Sequence, residues 1–78
     1  MKSNYIKYTT QEGGVNIINK KYIVNVEMHD EFDCNDEHNW KRGIINIHLT
    51  EGCLTDVFYN ITAYKRTYEY LTKSLCED

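Results

Sequence analysis

The sequence predicts a small α+β domain in which an antiparallel sheet of four to five strands, arranged as a meander, carries one C-terminal helix packed on one face. Two observations lead to this class. Short runs of β-forming residues, separated by glycine or polar turns, extend to about residue 60, and a helical repeat replaces them from Thr62 onward. A chain of 78 residues buries only about 60% of its unfolded surface, so we expect a single domain, residues 1–78, with one thin core.

The first half of the chain predicts three strands. NYIKYTT is rich in β-forming residues, and QEGG after it supplies two glycines for a tight reversal into VNIIN. After the polar break NKK, the alternation in YIVNVEM predicts a third strand. The residues predicted to share one face of that strand are Tyr22, Val24, Val26 and Met28.

The second half predicts a hairpin followed by a helix. The alternation in GIINIHLT places Ile45, Ile47 and Leu49 on one face, and TEG is a turn into a further strand, CLTDVFYN. From Thr62 the apolar residues recur at helical spacing, and Asn60 or Thr62 is the expected N-cap. The residues of this helical stripe are Tyr64, Tyr68, Leu71 and Leu75.

Residues 29–42 show no period and high polarity, which predicts a long surface loop. Within them, HDEFDCNDEHNW combines five carboxylates with the only tryptophan of the chain. An aromatic anchor surrounded by charge is typical of a protein interface, although Trp40 is equally compatible with a cap on the core. The residues predicted to bind a protein partner are Asp30, Glu31, Asp33, Asp36, Glu37 and Trp40.

The same segment permits an alternative interpretation as a metal site. His29, Cys34 and His38 have four and three residues between them, and Asp33 or Asp36 would complete a tetrahedral zinc site. Structural zinc sites usually contain a second paired set of ligands, which this sequence does not supply. An acidic loop is therefore the favoured interpretation.

Three basic doublets suggest another alternative, a site for a nucleotide or other anionic small ligand at a subunit interface. They occur at predicted strand or helix starts and would converge at one end of a meander, near tyrosine rings. The doublets are Lys20 with Lys21, Lys41 with Arg42, and Lys65 with Arg66. A formal net charge of −3 argues against generic DNA binding.

Little in the sequence points to catalysis. Cys53 and His48 both lie around the predicted hairpin of residues 43–60, but the alternation names no third group that would orient the histidine. The cysteines, which include Cys34 and Cys76, are odd in number and have no CxxC spacing, which predicts reduced thiols. We therefore expect a protein that is not an enzyme and that uses no cofactor.

The order of these elements resembles the small FlbD-like proteins associated with flagellar operons. In that family a hairpin, a strand, an acidic break, the motif V-I-T-L-x-x-G, a strand and a helix cover the whole chain. The residues that match are Ile45, Ile47, Leu49 and Gly52, with the helix from Ala63. The insertion around residues 29–42 departs from the family, so the resemblance implies the fold more than any function.

The function predicted from these observations is a small protein-binding module. Apolar runs are far shorter than the roughly 20 residues that span a bilayer, so we expect a soluble cytoplasmic protein without a membrane partner. Apolar residues such as Ile44 and Phe58 do not all fit on the helix-covered face, which favours a homodimer. The absence of proline with abundant Asn, Ile, Lys and Tyr is typical of AT-rich genomes, and it suits a phage inhibitor of a host defence protein or a bacterial regulator.

Overall fold

The computed structural model describes residues 4–76, in which five strands precede one α-helix. The strands are β1 (Tyr5–Thr9), β2 (Val15–Asn19), β3 (Ile23–Asp33), β4 (Asp36–Leu49) and β5 (Gly52–Phe58), and the helix is α1 (Ile61–Cys76). A 3-10 helix at Lys20–Tyr22 connects β2 to β3. The predicted α+β class, the antiparallel pairing and the C-terminal helix are confirmed.

The strands form two antiparallel sheets, so the prediction of one continuous meander is wrong. β1 pairs with β2, and β3, β4 and β5 form a three-stranded sheet in that order. The break lies at Asn19, whose side chain accepts a 3.1 Å hydrogen bond from the backbone N–H of Lys21 and so caps the 3-10 helix. The polar NKK segment therefore redirects the chain, and the β1–β2 hairpin buries Ile6 and Tyr8 in the common core.

One face of the three-stranded sheet carries the core. Residues that are directly paired across antiparallel strands share a face. Ile45 of β4 lies between Met28 of β3 and Asp56 of β5, and Ile47 lies opposite Val26. Both isoleucines are fully buried, which confirms the alternation predicted for β4.

A buried carboxylate joins the two sheets. Asp56 is only 5% exposed and accepts a 2.6 Å hydrogen bond from the hydroxyl of Tyr8 on β1. The backbone N–H of Gln11 donates a second hydrogen bond of 3.2 Å to the same side chain. Burial, and then the Asp56 carboxylate, hold the pKa of Tyr8 well above its usual range, so the hydroxyl stays a donor. Because a buried carboxylate is costly without such donors, this contact fixes the β1–β2 hairpin on the sheet.

α1 begins at a well-formed cap. The side chain of Asn60 accepts hydrogen bonds from the backbone N–H groups of Thr62 at 2.9 Å and Ala63 at 3.1 Å, so Asn60 is the N-cap. The helix ends at Cys76. The helical part of residues 4–76 offers no segment with the length and apolar character that a membrane crossing requires.

Tyr64 is the residue through which α1 docks on the sheet. Its ring lies directly over Gly43 of β4, where the Cβ of any other residue would overlap the ring atoms. The ring of Phe58 packs beside it, with 5.8 Å between the ring centroids. The predicted helical stripe is confirmed, because its members are buried or packed against the core: Tyr64, Tyr68, Leu71 and Leu75.

The predicted surface loop at residues 29–42 is wrong. β3 continues to Asp33, β4 starts at Asp36, and the two strands meet at a two-residue turn, with register shifts on both sides of Phe32 that leave Lys41 and residues 37–39 of β4 without a partner in the register. No apolar alternation marks these strand ends because most of their side chains are hydrated on both faces. The polarity of this segment therefore reflects exposed side chains on extended strands and not an irregular loop.

A second departure concerns the start of β3. Ile23 pairs with Leu49 but Asn25 pairs with His48, so Val24 is an extra residue in the strand. This bulge leaves Val24 71% exposed, whereas Ile23 packs against the core. The predicted face of this strand is correct for Val26 and wrong for Val24, because alternation cannot reveal a bulge.

We predict that Tyr8→Phe lowers the free energy of unfolding by about 2 kcal/mol, because Asp56 would stay buried without its hydroxyl donor. Tyr64→Phe is the matched control. Tyr64 is equally buried, but its hydroxyl has no hydrogen-bond partner at ordinary geometry, so its removal should not lower the free energy of unfolding. Urea unfolding of the two variants measures the difference, and equal losses would contradict the role given to Asp56.

Candidate functional site

The paired ends of β3 and β4, residues 29–40, form a projecting hairpin that we call the acidic arm. Every residue from Cys34 to Asn39 is exposed. The molecule is accordingly elongated, with extents of 46 × 25 × 22 Å. The five carboxylates predicted to bind a partner all lie on this arm, and so does Trp40.

Trp40 fixes the base of the acidic arm to the core. Its ring packs against Tyr64 with 5.7 Å between centroids, and it is half-buried. Its Nε1 group donates a 3.0 Å hydrogen bond to Oδ1 of Asp30 across the hairpin. Trp40 therefore caps the core, which is the second role that the sequence left open for it. The side chain of Asp30 is hydrogen-bonded within the chain.

A second cross-strand contact stiffens the same part of the acidic arm. Arg42 of β4 forms an ion pair with Glu31 of β3, its direct partner in the register. The hydrogen bond from Arg42 lowers the pKa of Glu31, and the same contact raises the pKa of Arg42. Because both side chains are partly exposed, the pair orients the arm more than it stabilises the fold.

The tip of the acidic arm carries the remaining carboxylates. Asp33 Oδ1 accepts a 2.9 Å hydrogen bond from the backbone N–H of Asn35, and Asp36 Oδ1 accepts one of 3.0 Å from that of His38. These local bonds hold the turn, and each uses one oxygen of its carboxylate. Within residues 4–76, neither aspartate forms an ion pair, nor does Glu37.

The charge of the chain is strongly divided between the acidic arm and the remainder. The arm contains five carboxylates and no lysine or arginine, whereas the remainder of the sequence contains nine lysines and arginines and seven carboxylates. In the described part of the chain, three arm carboxylates, those of Asp33, Asp36 and Glu37, form no ion pair. The tip is therefore a concentrated negative surface that a cationic group can approach.

The structure does not assemble the predicted metal ligands. Among residues 4–76, no group of three His, Cys, Asp or Glu side chains is placed to hold a metal ion. His29 lies on β3 opposite Ile44, whereas Cys34 lies in the turn, about 16 Å further along an extended strand. His38 lies on the returning strand. Because the backbone is extended here, the three predicted metal ligands lie apart along the hairpin. The prediction had required a loop that brings them together.

The basic doublets do not all lie together. Lys20 and Lys21 precede β3 at the end where Ile23 pairs with Leu49, but Arg42 lies about 23 Å further along β4. Lys65 and Arg66 lie on α1, so the expected convergence is wrong.

Two of the basic doublets line separate surface grooves. Lys20 and Lys21 line an open groove of about 510 Å³ beside Asn19, and the Nζ of Lys21 lies 5.3 Å from the ring centre of Tyr22. Arg66 instead lines a groove of about 360 Å³ that contains Lys7 of β1. Lys7 was not predicted, because only tertiary packing brings β1 to the helix.

The uncovered face of the three-stranded sheet places Cys53 directly opposite His48. Glu27 of β3 lies 3.1 Å from the Nε2 of that histidine and is the orienting group that alternation alone did not name. The Sγ of Cys53 contacts Asn46 Oδ1 at 4.0 Å and Thr55 Oγ1 at 3.8 Å. Cys53 is exposed on an open strand surface, which supplies no enclosed cleft for a substrate.

A further surface groove lies between the turn after β1 and strand β5. It has a volume of about 770 Å³ and is lined by residues 10–12, 54–57, 59 and 60. The carboxylate of Asp56 lies at this groove but is held by Tyr8 and Gln11. Asp56 is thus engaged in joining the two sheets.

We predict that stability falls above about pH 10. Burial, and then the nearby Asp30 carboxylate, raise the pKa of Tyr64 to about 12 from an ordinary value of 10.0. Above pH 10 the unfolded chain loses this proton while the folded chain keeps it, so the stabilisation is complete below pH 10 and disappears towards pH 12. The loss from Tyr64 amounts to about 1.4 kcal/mol per pH unit, and Tyr8, whose pKa is also raised, adds a loss of the same sign.

Urea unfolding on both sides of pH 10 measures this effect. Tyr64→Phe should reduce the fall in stability, whereas the exposed Tyr22→Phe should leave it unchanged. A fall of the same size in both variants would assign the alkaline loss to other groups.

Comparison with known proteins finds no matching family model, no matching curated protein and no matching solved structure. The resemblance to FlbD-like proteins therefore stays a prediction. A function for this chain is accordingly inferred from the geometry of the acidic arm.

Proposed function

We propose that this protein is a non-enzymatic binding module whose acidic arm docks on a basic surface of a partner protein. The observation that carries the proposal is the arm itself, a paired hairpin with unneutralised carboxylates at its tip. Asp33, Asp36 and Glu37 are the contact residues, since Asp30, Glu31 and Trp40 hold the arm in shape.

The ordered backbone of the acidic arm supports this proposal. A flexible acidic loop would lose conformational entropy on binding, whereas a paired hairpin has already lost it during folding. The hydrogen bonds of Asp33 and Asp36 to backbone N–H groups hold both carboxylates in the turn. The arm is therefore pre-organised for a complementary surface.

The apolar part of the contact is Phe32. It lies on β3 next to the tip and is 48% exposed, whereas Trp40 opposite it is packed on the core. An exposed aromatic ring beside charged groups suits the centre of an interface with a polar rim. The proposed contact thus combines Phe32 with the tip carboxylates.

Occupying a surface of a partner suits an inhibitor or a regulator. A phage protein that blocks a basic, nucleic-acid-binding surface of a host defence protein is the specific form we propose. Opposite charges accelerate such an encounter, and the rate should decrease with ionic strength.

The test compares the wild type with an arm variant that carries Asp33→Asn, Asp36→Asn and Glu37→Gln. Asparagine keeps the oxygen that accepts the turn hydrogen bonds, so the hairpin should persist. Immobilised protein is used to capture partners at low salt, and the captured protein is purified and titrated calorimetrically. We expect the arm variant to bind at least about tenfold more weakly, which corresponds to about 1.4 kcal/mol.

A control variant carries Glu12→Gln, Glu51→Gln and Glu69→Gln, which remove the same number of charges from exposed positions outside the arm. It should bind like the wild type within about twofold. Equal binding by the arm variant would move the interface elsewhere. A failure of the wild type to bind any purified candidate stoichiometrically would reject the binding function.

A further inference from the structure

Strand β3 presents a long unpaired edge. It is an outer strand of the three-stranded sheet, and its other edge forms no backbone hydrogen bond within residues 4–76. Between Asn25 and Glu31 its pairing with β4 is regular, so the outward N–H and C=O groups of this stretch form an even ladder. Such an edge is a template for another strand.

The edge of β3 has only part of the usual protection against pairing with another strand. Proteins commonly block exposed edges with proline, with charged side chains or with very short strands, and β3 has 11 residues without proline or lysine, although its regular stretch carries Glu27, Asp30 and Glu31. Its register shifts, at Val24 and on both sides of Phe32, lie outside the regular stretch. Val26 and Met28 beside the edge are only partly buried, so a further strand would cover more of them.

We propose that this edge pairs with β3 of a second copy, antiparallel and centred on Met28, to form a continuous six-stranded sheet. This interface lies outside the tip of the acidic arm and does not rest on the proposed partner-binding function. A two-fold axis perpendicular to the sheet places α1 of both copies on the same side. The main contacts of α1 with the sheet are with β4 and β5, and β3 is not among them.

The charges of β3 select this register. With Met28 opposite Met28, Glu27 lies opposite His29 of the second copy. The acidic end of the strand then faces its neutral end: Glu31 lies opposite Asn25, and Asp30 lies opposite Val26. No carboxylate opposes another, and all seven residues of the regular stretch are paired.

The neighbouring registers lack this complementarity. A shift of register keeps every side chain on its own face of the sheet only if one strand moves by two residues relative to the other. This leaves one alternative register on each side of the proposed one. One alternative places Glu27 opposite Glu27, and the other places Glu27 opposite Glu31. Like charges directly opposite each other destabilise strand pairs, so both registers are disfavoured.

Sedimentation velocity over the micromolar range tests whether the dimer forms. We expect the wild type to dimerise and Val24→Asp to weaken the dimer by about tenfold or more, because the new carboxylate would lie beside the acidic end of the second β3. Ile17→Asp is the control. Ile17 is a similarly exposed β-branched residue, 65% against 71% exposed, but lies on β2, so its variant should dimerise like the wild type.

Cross-linking tests the register. In a chain whose natural cysteines are replaced by serine, Glu27→Cys and His29→Cys are made singly, oxidised alone and then oxidised as a mixture. A register centred on Met28 predicts that the mixture yields the mixed disulfide dimer and that each variant alone yields little.

Each other outcome overturns the proposal. Efficient cross-linking of Glu27→Cys alone, or of His29→Cys alone, would indicate one of the shifted registers. A monomer at all concentrations would leave the β3 edge without a second copy. Retained dimerisation of Val24→Asp would place the interface elsewhere, and none of these results would alter binding by the arm tip.

Discussion

The packing of Tyr64 on Gly43 is the constraint on which the rest of the structure depends. The tyrosine ring occupies the space that a side chain at residue 43 would fill, and so allows α1 to approach β4 closely. The same ring contacts Phe58 in the core and Trp40 at the base of the acidic arm. One aromatic cluster therefore joins the helix, the sheet and the arm, and the arm keeps a defined direction relative to the core.

Much of the fold was predictable because local patterns and tertiary packing agree. The alternation in β4 predicted the buried Ile45 and Ile47, and the helical repeat predicted the side of α1 that faces the sheet. The N-cap was predicted as one of two residues, and the structure selects Asn60. In the strand and in the helix a single face is buried, so the spacing of the apolar residues indicates both the type of element and its buried face.

The remainder depends on contacts between residues distant in sequence. No local signal indicates that Tyr8 donates to Asp56, 48 residues further on, so the placement of the β1–β2 hairpin on the core face was not predictable. The acidic arm was mistaken for a loop because its strands lie beyond the core, where no apolar period is required. The carboxylates of the candidate site could be named from the sequence, and their role in binding stays a prediction, whereas Trp40 has a structural role that only the contact with Tyr64 reveals.

The proposed function requires that residues 29–42 form an ordered hairpin that holds its carboxylates in place. Amide hydrogen exchange of the wild-type protein, resolved by residue, tests it most directly. The backbone N–H groups of residues 29–31 and 42–44 that are hydrogen-bonded to a neighbouring strand should be protected from exchange. This protection should decrease towards the turn at Cys34. Exchange at unfolded-chain rates throughout residues 29–42, with protection retained in the rest of β4, would show a loop and would contradict the claim.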